Sequence, residues 1–303
     1  MWWPVHGHSW TVTAARNAPD PSLTAPPHDP ARAAGLLPEN PWRRARAPGY
    51  VARMSDTDST RVWDTETAAR YDTPGEGMLA PEALDPCVDR LAELAGDGAA
   101  LEFAVGTGRV AVPLAARGVP VTGIELSEAM VAQLRTKADE AALPVVVGDM
   151  ATATVPGEFA LVYLVYNTIS NLLTQQEQVE CFRNAAGHLA PGGRFVVELG
   201  VPELRRLPPG QEGLLFTADP GYIGADTYDV VNQHLVSHHF LFGEGRQARV
   251  FRVKQRYAWP SELDLMARIA GFELESRHAD WQGAEFTGDS RSHVSVYRLP
   301  ASG

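Results

Sequence analysis

Apolar residues recur at two different spacings along this chain, and the spacing alternates from one segment to the next. Residues 81–96 carry apolar positions three and four apart, which predicts an amphipathic helix, and residues 99–105 form a short apolar run typical of a buried strand. Alternating strands and helices of this length predict parallel βαβ units, and so an α/β fold with a Rossmann-like, doubly wound, mostly parallel sheet. The pattern continues as helix 109–118, strand 120–125, helix 127–141 capped by Ser127, strands 144–149 and 158–166, helix 174–190 and strand 190–200.

The pattern changes between residues 201 and 259. We predict antiparallel strands at 214–218, 227–242 and 247–259, with a hairpin turn at 243–246 joining the last two. Residues 260–272 return to a helical pattern, and further strands are expected near 272–282 and 292–299. The predicted domains are a Rossmann-like core at 54–200, a small antiparallel β insertion at 201–259 that we expect to form a lid over the edge of the main sheet, and a C-terminal completion of the core at 260–303.

The first 53 residues have a different composition from the rest of the chain. They are rich in Pro, Ala and Arg and show no helical or strand period, so we expect a disordered tail. Met54 would be a natural translation start. We therefore interpret residues 1–53 as a start-site artefact or a dispensable tail.

Charge and composition exclude several classes of function. The formal net charge of −11 disfavours nucleic-acid and anionic-membrane partners, because both bind mainly through Lys and Arg. The longest apolar run, at 159–166, is too short for a membrane helix, and no secretory signal is visible. Two cysteines are typical of a reduced compartment, so we expect a cytoplasmic protein. We see no metal-ligand cluster, and a homodimer is compatible with the sequence.

A glycine turn after the first predicted strand is the most informative motif. In LEFAVGTGRV the strand leads directly into Gly106 and Gly108, which open a helix. Such a turn lets a ligand approach main-chain atoms without interference from a Cβ. With Ala111 the spacing also fits a dinucleotide-binding turn, so a nicotinamide-dependent oxidoreductase is an alternative.

Three acids follow the same rhythm as the predicted strands. Glu102 lies inside the first strand, Glu125 ends the second and Asp149 ends the third. Carboxylates at these strand ends face the crevice in which open α/β sheets bind ligands. One such acid alone would be interpreted as a solvated residue at the end of a strand. Three acids that repeat with the βαβ units favour a site that binds a nucleotide.

With these residues the chain resembles a class I S-adenosylmethionine-dependent methyltransferase of the small-molecule type found in bacterial natural-product pathways. The resemblance covers roughly residues 60–300. In that family an acid opens a glycine-rich motif, and Glu102, Ala104, Gly106 and Gly108 occupy the matching places. Ala104 departs from the pattern, because the family most often has its first glycine there.

The resemblance implies S-adenosyl-L-methionine as the cofactor and assigns its contacts. Glu125 matches the acid that binds the ribose hydroxyls, and Asp149 matches the acid that accepts from the adenine amino group. Around these two acids, the implied cofactor contacts are Tyr71, Thr107, Leu126, Met130, Met150 and Val165, and the implied acceptor contacts are Tyr166 and Asn167. We also expect the insertion to shape the acceptor pocket, with Tyr222 as a candidate acceptor contact; the other interpretation places Tyr222 in the core of the insertion.

The predicted activity is methyl transfer to an oxygen or nitrogen of a small molecule. A base is needed only if the acceptor must lose a proton, and three histidines of the insertion are candidates. Strand alternation places His234 and His238 on one face and His239 on the other. A non-catalytic adenosylmethionine-binding subunit remains a further alternative, since no base is compulsory.

Overall fold

The computed structural model describes residues 64–69, 71–72, 75, 77–242 and 248–301. Seven strands of these residues form one sheet: β1 Ala100–Phe103, β2 Val121–Glu125, β3 Val145–Val147, β4 Phe159–Leu164, β5 Leu189–Gly200, β10 Glu273–His278 and β11 Ser292–Arg298. Their order is β10-β11-β5-β4-β1-β2-β3, and β11 runs against its two neighbours whereas the others run parallel. The prediction of a doubly wound, mostly parallel sheet is confirmed.

Helices cover both faces of this sheet and bury a separate core on each. One core packs β4 and β5 residues such as Val162 and Phe195 against two helices, α5 Gln175–His188 and α6 Pro260–Ile269. The other packs Leu161 and Val196 against the helices of the opposite face. Neighbouring strand residues thus alternate between two buried faces, which explains why these strands read as continuous apolar runs. The remaining α-helices of the described residues are α1 Thr65–Ala69, α2 Pro81–Ala95, α3 Ala111–Ala116 and α4 Glu128–Leu134.

A second sheet contains the residues between β5 and α6. Its strands are β6 Gly213–Asp219, β7 Tyr222–Asp229, β8 His234–Phe242 and β9 Ala248–Arg256, paired antiparallel in that order. The predicted small antiparallel sheet is confirmed. The expected turn at 243–246 and the expected tail at 1–53 lie outside the described residues.

One strand prediction in this sheet was wrong. The segment 227–242 is not a single strand, because β7 ends at Asp229 and a turn precedes β8. The Asp229 carboxylate accepts hydrogen bonds from the backbone N–H groups of Val231 and Asn232, at 3.1 and 3.2 Å. Asp and Asn stabilise turns in this way. The two valines at 230 and 231 suggested a strand, but their side chains are exposed at the tip of the turn.

A buried polar network attaches the small sheet to the main domain. The Arg256 guanidinium, at the end of β9, donates to Glu262 of α6 at 2.6 Å and to Gln178 of α5 at 2.5 Å. The Gln178 side chain also donates to the Arg256 carbonyl at 3.2 Å. Arg256 also donates to Gln233, in the turn before β8, at 2.7 Å. Because Glu262 and Gln178 belong to the main domain, this network fixes one end of the small sheet.

The helices of the described ranges are all too short or too polar to cross a lipid bilayer.

Candidate active site

The turn after β1 has the conformation that its glycines suggested. Gly106 and Gly108 have positive φ values of 57° and 79°. A Cβ at Gly108 would also lie 2.9 Å from Val112 Cγ2, so packing requires glycine there too. Ala104 has a φ of 53°, which is the conformation that a glycine would adopt at lower steric cost. The alanine therefore preserves the course of the turn under some strain.

The Glu125 carboxylate, at the end of β2, joins two neighbouring turns. Its Oε2 accepts from the Gly106 N–H at 2.9 Å, and its Oε1 accepts from the Ser127 N–H at 2.8 Å. Burial raises the pKa of Glu125, and these backbone hydrogen bonds oppose the rise. Each carboxylate oxygen has a second lone pair, so Glu125 can accept two further hydrogen bonds.

Asp149 follows β3 at the same edge of the sheet. Because β1, β2 and β3 are adjacent and parallel, their carboxyl ends lie side by side. Asp149 is exposed, and its Oδ1 accepts from the Ala151 N–H at 2.8 Å. Met130 and Met150 follow Glu125 and Asp149 closely in the sequence, and both are buried, whereas the Leu126 side chain is 44% exposed. This edge thus combines carboxylates with apolar side chains.

Glu102 lies in the interior, unlike the other two acids. It pairs across from Tyr163 of β4 and accepts a hydrogen bond from the Tyr163 hydroxyl at 2.9 Å. Burial raises the pKa of Glu102 to about 8, although the Tyr163 hydrogen bond and the charge of Arg109 lower it. Glu102 is therefore largely neutral at pH 7 and links β1 to β4 beneath the glycine turn.

A strained bend follows β4, where the sequence predicted the acceptor edge. Tyr166 and Asn167 have φ values of 58° and 62°. The Glu198 carboxylate of β5 accepts from the Tyr166 N–H at 2.8 Å, and Asn167 Oδ1 accepts from the Gly200 N–H at 2.6 Å. Strain at two consecutive non-glycine residues persists only where the surroundings fix it. These bonds hold the bend directly after the buried Val165.

Sequence reasoning missed two charged residues beside this bend. The Arg109 guanidinium lies 5.2 Å from the centroid of the Tyr166 ring and donates to the Met78 carbonyl at 3.3 Å. Burial raises the pKa of Tyr166, so its hydroxyl stays protonated. The position of Arg109 directly after the glycine turn could have suggested it. The other missed residue, Glu198, had no comparable signal, because its hydrogen bond to the bend joins two separate strands.

The N-terminal segment reaches the glycine turn. Burial raises the pKa of Tyr71, which follows α1. The next residue, Asp72, accepts a hydrogen bond from the Thr107 hydroxyl at 2.7 Å. The structure thus brings together Tyr71 and Thr107, two residues that the sequence assigned to the same site.

The candidate histidines divide between the faces of β8 as strand alternation predicted. His234 Nε2 donates to the Leu173 carbonyl at 3.1 Å. His238 accepts at Nδ1 from Arg252 Nε at 3.1 Å and lies 2.9 Å from the Thr227 hydroxyl. Both side chains therefore already have hydrogen-bond partners.

His239 lies on the buried face of the small sheet. Its Nδ1 is 2.7 Å from the Tyr222 hydroxyl, and its ring stacks on Phe251 with centroids 4.4 Å apart. Burial lowers the pKa of His239 to about 4, so the ring is neutral near pH 7. Its Nε2 is buried and has no hydrogen-bond partner among the described residues.

Comparison with known proteins agrees with this fold. Residues 100–193 match a family model described as a methyltransferase domain. The CcbJ methyltransferase of Streptomyces caelestis is 37% identical and has a TM-score of 0.71; the similarity covers 81% of this chain and 100% of CcbJ. The cypemycin N-terminal methyltransferase of a Streptomyces species is 27% identical over 252 residues, which cover 80% of this chain and 98% of that protein.

A further solved structure shares the fold. CalS10 from Micromonospora echinaspora, an amino pentose methyltransferase with S-adenosylmethionine bound, is 23% identical and has a TM-score of 0.54. That similarity covers 72% of this chain and 90% of CalS10.

The chain belongs to the class I S-adenosylmethionine-dependent methyltransferases, and S-adenosylmethionine is its cofactor. The residues at the sheet edge suit this cofactor. Glu125 retains capacity to accept hydrogen bonds, and a Cβ at Gly106 would meet only the Ala104 carbonyl oxygen, at 3.9 Å, so the turn is open at Gly106. The nicotinamide and non-catalytic alternatives have no support among these relatives. Within the described ranges, no group of three His, Cys, Asp or Glu side chains could bind a metal ion.

Proposed function

We propose that this methyltransferase methylates an amine nitrogen of a small natural-product molecule. The cypemycin enzyme, whose name specifies an N-terminal acceptor, is the relative that supports nitrogen. A neutral amine already has a lone pair, so its methylation requires positioning and exclusion of water more than a strong base.

The burial of the candidate residues, with Glu102 4% and His239 2% exposed, is the observation that carries the proposal. Burial raises the pKa of Tyr166, lowers that of His239 to about 4 and raises that of Glu102 to about 8. All three side chains are therefore mainly neutral near pH 7. A phenol or alcohol would need a stronger base than the neutral His239 ring, whereas a neutral amine needs none.

The cofactor contacts follow from the geometry of the sheet edge. We propose that the glycine turn, with Ala104, Gly106, Thr107 and Gly108, holds the methionine part, while Glu125 binds the ribose hydroxyls. When bound, S-adenosylmethionine supplies an electrophilic methyl group on a sulfonium. We assign the adenine to Asp149, Leu126, Met130 and Met150, the cover over the cofactor to Tyr71, and the wall beneath the methyl to Val165.

The acceptor would bind between the bend after β4 and the buried face of the small sheet. Tyr166 and Asn167 would border the amine, and Tyr222 and His239 would contact more distant parts of the acceptor. Because Tyr222 occupies His239 Nδ1, the unpartnered Nε2 would carry the proton and donate to an acceptor oxygen. His234 and His238 already have partners, so we expect smaller effects from their replacement.

Matched acceptors test the amine proposal. The enzyme would be incubated with isotope-labelled S-adenosylmethionine and pairs of compounds that differ only at one group: a peptide with a free or an acetylated N-terminus, and an amino sugar or its hydroxyl counterpart. We expect mass spectrometry to find labelled product only with the free amines. Methylation of phenols or alcohols in preference to amines would refute the proposal.

Binding measurements test the cofactor site separately. Glu125→Ala removes the carboxylate that orders two turns, so we expect at least a hundredfold rise in the S-adenosylmethionine Kd, about 2.7 kcal/mol. Asp149→Ala should raise it about tenfold, as expected for one hydrogen bond of about 1.4 kcal/mol. Glu128→Ala, on the exposed surface of α4, is the control. Calorimetry that gives equal Kd values for all four proteins would rule out this site.

We also propose that the enzyme works in the cytoplasm, which is supported by two buried free cysteines. The acidic net charge supports a small-molecule partner and no nucleic acid. A homodimer stays a prediction, to be tested by light scattering.

A further inference from the structure

We call the end of the main sheet where β1, β2 and β3 finish, and where we place the cofactor, the cofactor edge. Three residues beside it form a closed ring of hydrogen bonds. The Thr107 hydroxyl donates to Asp72 Oδ1 at 2.7 Å, and Lys137 Nζ donates to Asp72 Oδ2 at 2.5 Å. Lys137 Nζ also donates to the Thr107 carbonyl at 2.7 Å. We call Asp72, Thr107 and Lys137 the clasp. Two of its three hydrogen bonds are accepted by the Asp72 carboxylate.

The clasp connects three separate segments of the chain. Asp72 follows α1, Thr107 lies between the two glycines of the turn, and Lys137 follows α4. The first of these is 35 residues from Thr107 and 65 residues from Lys137. Helix α1 also packs against α4. The clasp therefore attaches the segment that ends at Asp72 to the wall of the cofactor crevice.

Tyr71 is the residue that this attachment positions. It directly precedes Asp72, whose hydrogen bond with Thr107 keeps this part of the chain beside the glycine turn. If the segment around Tyr71 were not attached, it would lose conformational entropy on covering a ligand. A clasp that has already ordered the segment reduces that cost, so it stabilises the covered state.

The charged side chains of the clasp are partly shielded from solvent. The exposed fractions of the Lys137 and Asp72 side chains are 32% and 22%. Hydrogen bonds between charged groups are stronger than neutral ones, and partial burial reduces their screening by salt. Ion pairs on open surfaces contribute little by comparison.

We infer that the clasp of Asp72, Thr107 and Lys137 holds Tyr71 over the cofactor crevice and thereby slows the release of bound S-adenosylmethionine. This inference rests on the proposed cofactor site. Lys137 is a positioning residue, because it acts through Asp72 and Thr107. Opening of the clasp would precede dissociation, so its loss should increase the dissociation rate more than it decreases the association rate.

Lys137→Met is the principal test, because it removes the ammonium and keeps a side chain of similar length. Stopped-flow displacement with S-adenosylhomocysteine should show a dissociation rate about five- to tenfold faster, with an association rate within about twofold of the parent. Asp72→Asn should act in the same direction. Combining the two changes should add little, since both break the same clasp. Lys137→Arg should restore slow release.

Arg194→Met is the matched control. It breaks the Arg194–Glu275 ion pair, whose side chains are each 32% exposed, at the opposite side of the sheet. We expect parental release rates from this variant. Thermal unfolding of each variant shows that it is folded before its rates are compared.

Hydrogen exchange gives a readout without catalysis. In the Lys137→Met protein, the amides of residues 65–72 should exchange about five- to tenfold faster than in the parent, and most clearly with S-adenosylmethionine bound. Parental release rates and exchange in Lys137→Met, together with weak binding by Glu125→Ala, would overturn the clasp and leave the cofactor site intact. Parental binding by Glu125→Ala as well would overturn both.

Discussion

The cofactor edge and the small antiparallel sheet differ in the sequence distance that their key contacts cover. Glu125 binds the N–H of Ser127, two residues away, and that of Gly106, 19 residues away. Arg256 instead anchors its sheet through Gln178, 78 residues away. A short motif can therefore determine the first region, whereas the second depends on the completed fold. Contacts within one βα turn also leave a recognisable sequence pattern, and distant contacts do not.

Both regions contain a buried ionisable group, but only one has a full charge partner. Arg256 is 4% exposed and pairs with Glu262, whose pKa is lowered because hydrogen bonds from Arg256 and other side chains outweigh burial. Glu102 is equally buried and accepts from a neutral tyrosine, so its pKa is raised. The two groups should therefore respond differently to substitution and to pH.

Arg256→Leu should have the largest effect, because it leaves Glu262 and Gln178 without their shared partner. Breaking a buried pair by removing one member costs about 3–5 kcal/mol. Urea unfolding should show that loss, and the KM for the amine acceptor should rise while the Kd for S-adenosylmethionine changes by less than about twofold. Arg252→Leu lies on the same face of β9 and is exposed, so it is the control. Equal stability of the two variants would show that the network is not the anchor.

Glu102→Gln removes a titrating group from the cofactor half. In the folded protein the pKa of Glu102 is about 8, against 4.5 for the ordinary group, so the folded state keeps a proton that the unfolded state releases. Parental stability should therefore fall as the pH rises from about 5 to 8, by up to about 1.4 kcal/mol per pH unit from this group. Glutamine mimics the protonated acid, so the variant lacks this component.

Unfolding free energies of parent and Glu102→Gln at pH 5.5, 6.5 and 7.5 measure the difference, which should widen in favour of the variant. Glu128→Gln, an exposed acid of α4, controls for the loss of one carboxyl. Parallel pH curves for parent and Glu102→Gln would mean that Glu102 is ionised in the fold.

Two glycine substitutions compare the packing of the regions. A Cβ at Gly123 in β2 would lie 2.6 Å from Val105 Cγ1, and the short side chain of Val105 cannot swing away. Gly123→Ala should therefore cost about 2 kcal/mol. In the small sheet, a Cβ at Gly224 would meet the tip of the Phe216 ring, which can rotate. Gly224→Ala should cost less than about 1 kcal/mol in urea unfolding.

The same two variants should separate the functions of the two regions. Phe216 contacts the His239 ring, so Gly224→Ala should raise the acceptor KM more than the cofactor Kd. Gly123→Ala, beside the glycine turn, should change the cofactor Kd more. The reverse pattern would contradict the proposed division between cofactor edge and acceptor side.

The sequence allowed most of the fold to be predicted for a physical reason. Strands buried on both faces give apolar runs, and Ser127 caps α4 through a contact within three residues. The end of β7 was missed because Val230 and Val231 favour a strand, whereas the Asp229 carboxylate stabilises a turn. The strand propensity of the valines gave the wrong prediction because the Asp229 side chain accepts hydrogen bonds from the backbone of the turn.

The candidate site could be predicted only where its contacts are local. Gly106 and Glu125 belong to βα turns with recognisable patterns, and the structure joins them by a hydrogen bond. Glu198, Lys137 and Asp72 act across 30 to 65 residues, and no spacing in the sequence indicates those contacts. The partners of His239 depend likewise on the register of β7 and β8.

Ala104→Gly should have the smallest effect and the opposite sign. Ala104 has a φ of 53°, and a left-handed conformation costs an alanine about 1 kcal/mol or more. Glycine avoids this cost but loses about 0.4–1 kcal/mol through the greater freedom of the unfolded chain. We expect a net stabilisation of about 0.5 kcal/mol in urea unfolding, with unchanged or tighter cofactor binding. Ala132→Gly, on the exposed side of α4, should instead destabilise by about 0.5–1 kcal/mol, because its backbone is helical. If both changes destabilise equally, the turn after β1 is not strained, and the alanine there is as well suited to the cofactor edge as a glycine.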